Sequence, residues 1–297
     1  MRIPTGFILL LLIAFTTGCD HKHNSTETPS IDNTMNRLTD KKSFKSGYIP
    51  VNGIQMYYEI YGTGTPLVLL HGGGSTIETT FGRIIPTLAQ HYQLIAVELQ
   101  AHGHTSDRTD DLSFEQDADD VAALLKELHI TQADFFGFSN GGNTAFQIAL
   151  RHPQLVKKIV AASILLKRNG TSPQFWEFMK HAKFEQMPQQ YKDAFLKITN
   201  DTTRLKILHD KCAKRVNTLT DLSDEKIRSI QSPVLLVNGD ADVATSEHMI
   251  YLSRLIPHCK LAILPGGHGE YMGEIMSFKA GEEINYPLLP ILENFLR

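Results

Sequence analysis

The chain has 297 residues, 42% hydrophobic and 21% charged, which is enough to bury a sizeable core and excludes wholesale disorder and fibrous classes. Its 29 basic and 32 acidic residues give a net charge of -3 with no Lys/Arg cluster, so no nucleic-acid partner is expected. Three cysteines without a C-x-x-C pair offer neither a disulfide framework nor a zinc ribbon.

Residues 1–18 read as a targeting segment: Arg2 supplies a positive start, 7–15 is an unbroken apolar run of nine, and small residues lead to Cys19. Nine residues are too few to cross about 30 Å of hydrocarbon as a helix. The run resembles the signal of a bacterial lipoprotein, in which the cysteine after a small residue receives the lipid; Thr16 stands where such signals usually carry Leu. The resemblance implies lipid attachment at Cys19, a membrane as partner and an extracytoplasmic location. Residues 19–43 then read as a flexible tether, rich in Ser, Thr, Asn and Asp and poor in large apolar side chains.

A globular domain is expected over 44–297. Asn52-Gly53 between two alternating apolar stretches predicts a β-hairpin. Short runs, apolar throughout except for Asp134, follow at 67–70, 94–97, 133–136, 159–162, 234–237 and 261–264, most of them separated by amphipathic helix patterns such as 114–128. Runs buried on both faces and alternating with helices predict an α/β domain around a mostly parallel sheet with flanking helices. About 70 residues between 162 and 234 show helical but no strand character, at 175–182, 191–198 and 203–214. That exceeds any ordinary connection and predicts a helical cap insertion over roughly 166–230.

The chemistry gathers at strand ends. Gly137-Phe138-Ser139-Asn140-Gly141 lies between the run 133–136 and a helix pattern at 143–152. A sharp strand-to-helix turn strains its central residue and leaves no room for side chains two places before and after, so it presents Ser139 Oγ above the sheet. The following helix N-terminus aims N-H groups at a developing anion. His71-Gly72-Gly73-Gly74 after the run 67–70 lets backbone approach a substrate oxygen closely. A serine needs a positioned base. His268, in Pro265-Gly266-Gly267-His268-Gly269 after the run 261–264, is the histidine so placed; His248 in a helix pattern and His258 after Pro257 suit surface or helix-end roles. Asp240 and Asp242, after the run 234–237, are both candidates for the acid.

These landmarks, in this order, resemble the α/β-hydrolase family over 44–297. The resemblance implies the α/β-hydrolase fold and a triad of Ser139, Asp242 and His268, the family's G-x-x-D pattern selecting Asp242. It also implies an oxyanion hole from the backbone N-H groups of Gly73 and Asn140. The loop from Glu98 to Thr105 matches the family's D-x-x-G-x-G-x-S only in part, with Glu98, Ala101 and Thr105 as departures. The implied activity is hydrolysis of a small-molecule carboxylic ester through an acyl-enzyme, without cofactor or metal; lactone hydrolysis, C-C bond hydrolysis and cofactor-free haloperoxidation are alternatives that the family runs on the same triad.

His102-Gly103-His104 with Asp107 is partly similar to a metallo-hydrolase motif, with the Asp one place late and no histidine after it. A non-catalytic binding protein on the same fold is a further reading, since fold does not fix function. Phe175, Trp176, Phe178, Met179, Phe184 and Met187 read first as cap core and second as an apolar pocket. The stretch 271–285 is longer than the usual link to the last helix and bears on the site entrance.

Overall fold

At Asn52 and Gly53 φ is 42° and 87°, so both central residues of the turn are left-handed. A two-residue turn of this kind matches the twist of paired strands, and β1 (Lys45–Val51) pairs antiparallel with β2 (Ile54–Tyr61) from Val51 opposite Ile54. The computed structural model describes residues 44–277 and 286–297. The signal, the tether, Cys19 and the second half of the stretch 271–285 lie outside the described residues.

Six further strands follow: β3 (Thr65–Leu70), β4 (Tyr92–Val97), β5 (Ala133–Phe138), β6 (Val156–Ala162), β7 (Val234–Gly239) and β8 (Cys259–Leu264). The eight form one sheet in the order β1-β2-β4-β3-β5-β6-β7-β8, antiparallel at β1, β2 and β4 and parallel from β4 to β8. Successive side chains of a strand point to opposite faces. Val68, Leu70, Phe135, Ile159 and Leu236 accordingly pack on one side, with the helices Phe114–Glu127, Asn140–Arg151 and Ser246–Leu255. Leu67, Leu69, Phe136, Val160 and Leu235 pack on the other, with Ile77–Phe81, Ile85–Leu88 and Leu288–Leu296. Burial on both sides is why these strands read as continuous apolar runs. β8 departs from that expectation: its residues are half-buried or exposed, because it pairs only with β7 and ends the sheet.

The interval between β6 and β7 is helical: Pro173–Lys180, Gln189–Thr199, Thr202–Asn217 and the short Asp224–Arg228. The starts of Pro173–Lys180 and Thr202–Asn217 come earlier than periodicity suggests because capping residues set them. The Ser172 hydroxyl accepts from Phe175 N, with Pro173 at the first helical position, and Asp201 accepts from Arg204 N. The insertion has a small core of Met187, Phe195, Leu205 and Leu208 that reaches Ala101 and Leu112 of the main body. Among the described residues no helix is long and apolar enough to cross a membrane.

Candidate active site

The last residue of β5 is Phe138, and the helix Asn140–Arg151 begins two residues later, leaving Ser139 alone to make the turn at φ 53° and ψ -120°. That backbone is strained for any residue with a side chain and is held from outside: Ser139 N donates to Ala162 O at 2.8 Å. A Cβ on Gly137 would lie 2.3 Å from Gly141 O, and one on Gly141 would lie 2.0 Å from Leu70 O. Bare glycines are therefore required on both sides of the serine. The helix starts three residues before the predicted 143, because the turn leads straight into it, and the first N-H groups after Ser139 have no carbonyl one turn back to bond.

β3 ends at the other side of Ser139, in the loop His71-Gly72-Gly73-Gly74. Asn140 lies against this loop so closely that a Cβ on Gly73 would meet its Nδ2 at 2.2 Å. Two buried imidazoles hold the loop in place. His71 Nε2 accepts from Leu99 N at 3.0 Å with Nδ1 2.7 Å from Gly72 O. His102 Nε2 accepts from Gly74 N at 3.0 Å with Nδ1 2.9 Å from Gln100 O. Each ring thus carries its proton on Nδ1 and stays neutral, and burial lowers both pKa values.

The partly metal-like trio separates. While His102 serves Gly74, His104 Nδ1 sits 2.9 Å from Glu98, and Asp107 receives Lys211 Nζ at 2.7 Å. Among the described residues no three His, Cys, Asp or Glu side chains are placed to hold a metal ion. Glu98 also accepts from His104 N at 2.6 Å and so closes its own loop.

Beyond β7 the two candidate acids part company. Asp240 is exposed and accepts from Gly266 N at 2.9 Å, bracing the loop that carries His268. Asp242 is buried, and its Oδ1 lies 2.7 Å from His268 Nδ1 and 2.6 Å from Val243 N. Its Oδ2 accepts from Ser163 Oγ at 2.5 Å and from Gly239 N at 3.2 Å. Burial pushes the Asp242 carboxyl up, but the charge and hydrogen bond of His268 and the Ser163 hydroxyl outweigh it and hold it below the usual carboxylate range. Burial pushes His268 down, and the Asp242 carboxylate, by charge and hydrogen bond, raises it above an ordinary imidazole.

Sequence reasoning missed the support behind Asp242. Ser163 closes β6 at φ 53°, and its Oγ is also 2.6 Å from Tyr271 OH. Because the Ser163 hydrogen goes to a carboxylate, that oxygen must accept from the Tyr271 hydroxyl. Tyr271 lies in the turn Glu270–Met272, three residues after His268, so one loop approaches Asp242 directly through His268 and indirectly through Tyr271. Nothing in the residues beside Ser163 or Tyr271 marks either as a partner of the acid. Glu274 was likewise unforeseen: buried, it accepts from Tyr191 OH of the insertion at 2.8 Å and from Met276 N at 2.8 Å. The sequence signal there was only the unusual length of the stretch after His268. His248, expected in a surface or helix-end role, is buried, accepts from Leu166 N at 3.3 Å, and is pushed by that burial to about 4.

Ser139 and Asn140 line two cavities, of about 160 Å³ on the side of His268 and about 250 Å³ on the side of Gly73. Phe175, Phe178, Met179 and Met187 face these cavities. Trp176 lines neither: its Nε1 donates to Arg168 O at 2.8 Å and the Arg168 guanidinium covers its ring at 3.8 Å.

A family model described as the alpha/beta hydrolase fold matches residues 65–206. The chain is 31% identical over 132 residues to pyrrolizixenacetamide deacetylase of Xenorhabdus hominickii, covering 43% of this chain and 50% of that one. It spans between 33% and 50% of the length of the first curated relatives it matches. Among solved structures, a serine hydrolase involved in carbazole degradation superposes with a TM-score of 0.69 at 21% identity over 86% of this chain and 99% of its own. The enol-lactonase from Burkholderia xenovorans LB400 gives 0.65 at 21%, over 84% and 99%. At these identities the structural likeness is one of fold.

Proposed function

We propose that this protein, an enzyme with the α/β-hydrolase fold and with hydrolases among its relatives, cleaves a small-molecule carboxylic ester by acyl transfer through Ser139, His268 and Asp242. The observation that carries this reading is the shared cavity wall of Ser139 and His268, with His268 Nδ1 bonded to Asp242. In the first half-reaction His268 Nε2 takes the Ser139 proton as Oγ attacks the ester carbon. The N-H groups of Gly73 and Asn140 receive the oxyanion, and His268 returns the proton to the departing alcohol. Asp242 fixes the Nδ1-H tautomer and offsets the imidazolium charge. Water then attacks the acyl-enzyme with His268 again as base, and Ser139 is restored.

A fluorophosphonate probe tests this reading, because only an activated serine reacts with it. The expected result is one adduct on Ser139, absent from Ser139→Ala; an adduct formed equally on the variant would sink the assignment.

The N-terminal sequence supports a location as well. We propose that Cys19 carries lipid and anchors the enzyme to a membrane on its extracytoplasmic side, the periplasmic side in a Gram-negative cell, since several acyl chains give stable attachment where one does not. Mass spectrometry of the mature N-terminus should find a diacylglyceryl cysteine at position 19, and a free thiol there would refute it.

A further inference from the structure

Resting on the acyl-transfer reading, we propose that the substrate joins an apolar alcohol to an acyl arm that ends in a carboxylate, and that Lys183 and His209 receive this carboxylate. The two cavities meet at Ser139, and the chemistry decides which part of an ester enters each. The leaving oxygen must come within reach of the His268 proton. The alcohol therefore lies in the lobe that contains His268, and the acyl arm lies in the lobe that contains Gly73.

The alcohol lobe is apolar beyond the catalytic groups. Phe175, Leu165, Leu219 and Val243 line it, and the polar side chains of Asn143 and Ser163 are already committed. Asn143 spends Nδ2 on Leu165 O and Oδ1 on Leu165 N, and the Ser163 hydroxyl is held between Asp242 and Tyr271. A charge on the alcohol would be buried there without a counter-charge, which is costly.

The acyl lobe differs. His209, Cys212, Ala213 and Val216 fall at i, i+3, i+4 and i+7 of the helix Thr202–Asn217, so one helical face lines it and carries an imidazole. Asp210 accepts His209 Nδ1 at 2.9 Å and is itself balanced by Lys206 Nζ at 2.6 Å. This orients the ring and leaves Nε2 as the nitrogen available to a ligand. Lys183 lines the same lobe, and among the described residues no acidic residue does. Tyr191 gives its hydroxyl proton to Glu274 and burial pushes the Cys212 thiol up, so the groups left to face an anion are the nitrogens of Lys183 and His209. The Lys183 side chain at the exposed rim and the His209 imidazole, in a lobe otherwise walled by Phe178, Met187 and Ala213, fit a short hydrocarbon arm with an anionic end. Water is consumed, the ester C-O bond breaks, and the products are an apolar alcohol and a dicarboxylate.

The test compares benzyl half-esters of succinic, glutaric and adipic acid with benzyl butanoate, pentanoate and hexanoate on the purified protein. For at least one pair kcat/KM should favour the half-ester by about tenfold or more, and the ratio should shrink at about 0.5 M salt as the charges are screened. In Lys183→Gln/His209→Gln the ratio should fall to about one, a comparison that cancels any general loss of activity. A wild-type ratio of one or below for every pair, or a ratio that survives in the double variant, overturns the proposal. If the neutral esters are cleaved without such a preference, acyl transfer stands and only the carboxylate pocket falls. If no ester of either kind turns over, the acyl-transfer reading fails and this inference fails with it.

Discussion

The turn from β5 into the helix Asn140–Arg151 and the helices inserted between β6 and β7 face the same two cavities, yet they are held in different ways. At the turn every degree of freedom is taken up: glycines where a Cβ would collide with backbone, a strained serine, and a carboxylate with four hydrogen-bond partners on its two oxygens. The insertion is held by a small apolar core and by side-chain ties such as Arg215 to Asp117, Lys211 to Asp107 and Tyr191 to Glu274, and it leaves Phe178 and Ile207 39% and 43% exposed. Chemistry that depends on sub-ångström placement belongs on the rigid sheet edge, whereas a pocket wall with few buried contacts can change its side chains at little cost to the fold. The division predicts that substitutions near the turn alter rate, and that substitutions in the insertion alter the ranking of substrates.

The largest effect should come from Ser139→Ala, which removes the nucleophile and should lower kcat by roughly four to six orders of magnitude in an ester assay. A loss of only tenfold would break the comparison at its strongest point. Next, Asp242→Asn should lower kcat by about three to four orders of magnitude, because the wrong imidazole tautomer is favoured. Asp240→Asn, at a loop brace, should cost less than about tenfold. The reverse ranking would move the acid to Asp240.

A third measurement sharpens the account of what supports the acid. His268 acts as base only when neutral, and its pKa is raised by Asp242, so kcat/KM should fall on the acid side through a pKa above the ordinary value of about 6.5. Asp242→Asn should move that limb to lower pH. Ser163→Ala should lower kcat by about tenfold and move the limb to higher pH, since a carboxylate relieved of one donor attracts the imidazolium proton more strongly. Tyr271→Phe should act in the same direction but less. A rate loss without movement of the limb would mean that Ser163 only packs.

The smallest effects test the insertion. Phe175 and Trp176 are neighbours in one helix with opposite surroundings, the first lining the cavity beside His268 and the second stacked on Arg168. Phe175→Ala should change the kcat/KM ratio between benzyl and methyl esters by about threefold to tenfold. Trp176→Ala should leave that ratio unchanged and lower Tm by a few degrees. Equal shifts in the two variants would show that the insertion acts as a unit.

How much of this was legible in the sequence depends on the range of the constraint. The hairpin turn at Asn52-Gly53 and the glycines around Ser139 are demands of neighbouring backbone atoms, so residue type alone exposes them. The buried strands are legible because each face must be apolar, although β8 as the sheet edge escaped that rule. Residue order did not separate Asp240 from Asp242 without the resemblance, because both leave the same strand end and only packing turns one toward His268. Ser163 lies 79 residues from Asp242 and 108 from Tyr271, and no periodicity links residues so far apart. Steric and solvation rules act on adjacent residues, so residue order alone sets where the chain must turn, which segments must be buried and which serine and histidine stand at strand ends. The partners of Asp242, the neutral roles of His71 and His102, and the contrast between an apolar and a basic lobe were decided only when the sheet brought distant strand ends together, because hydrogen bonds and cavities depend on distances that residue order does not encode.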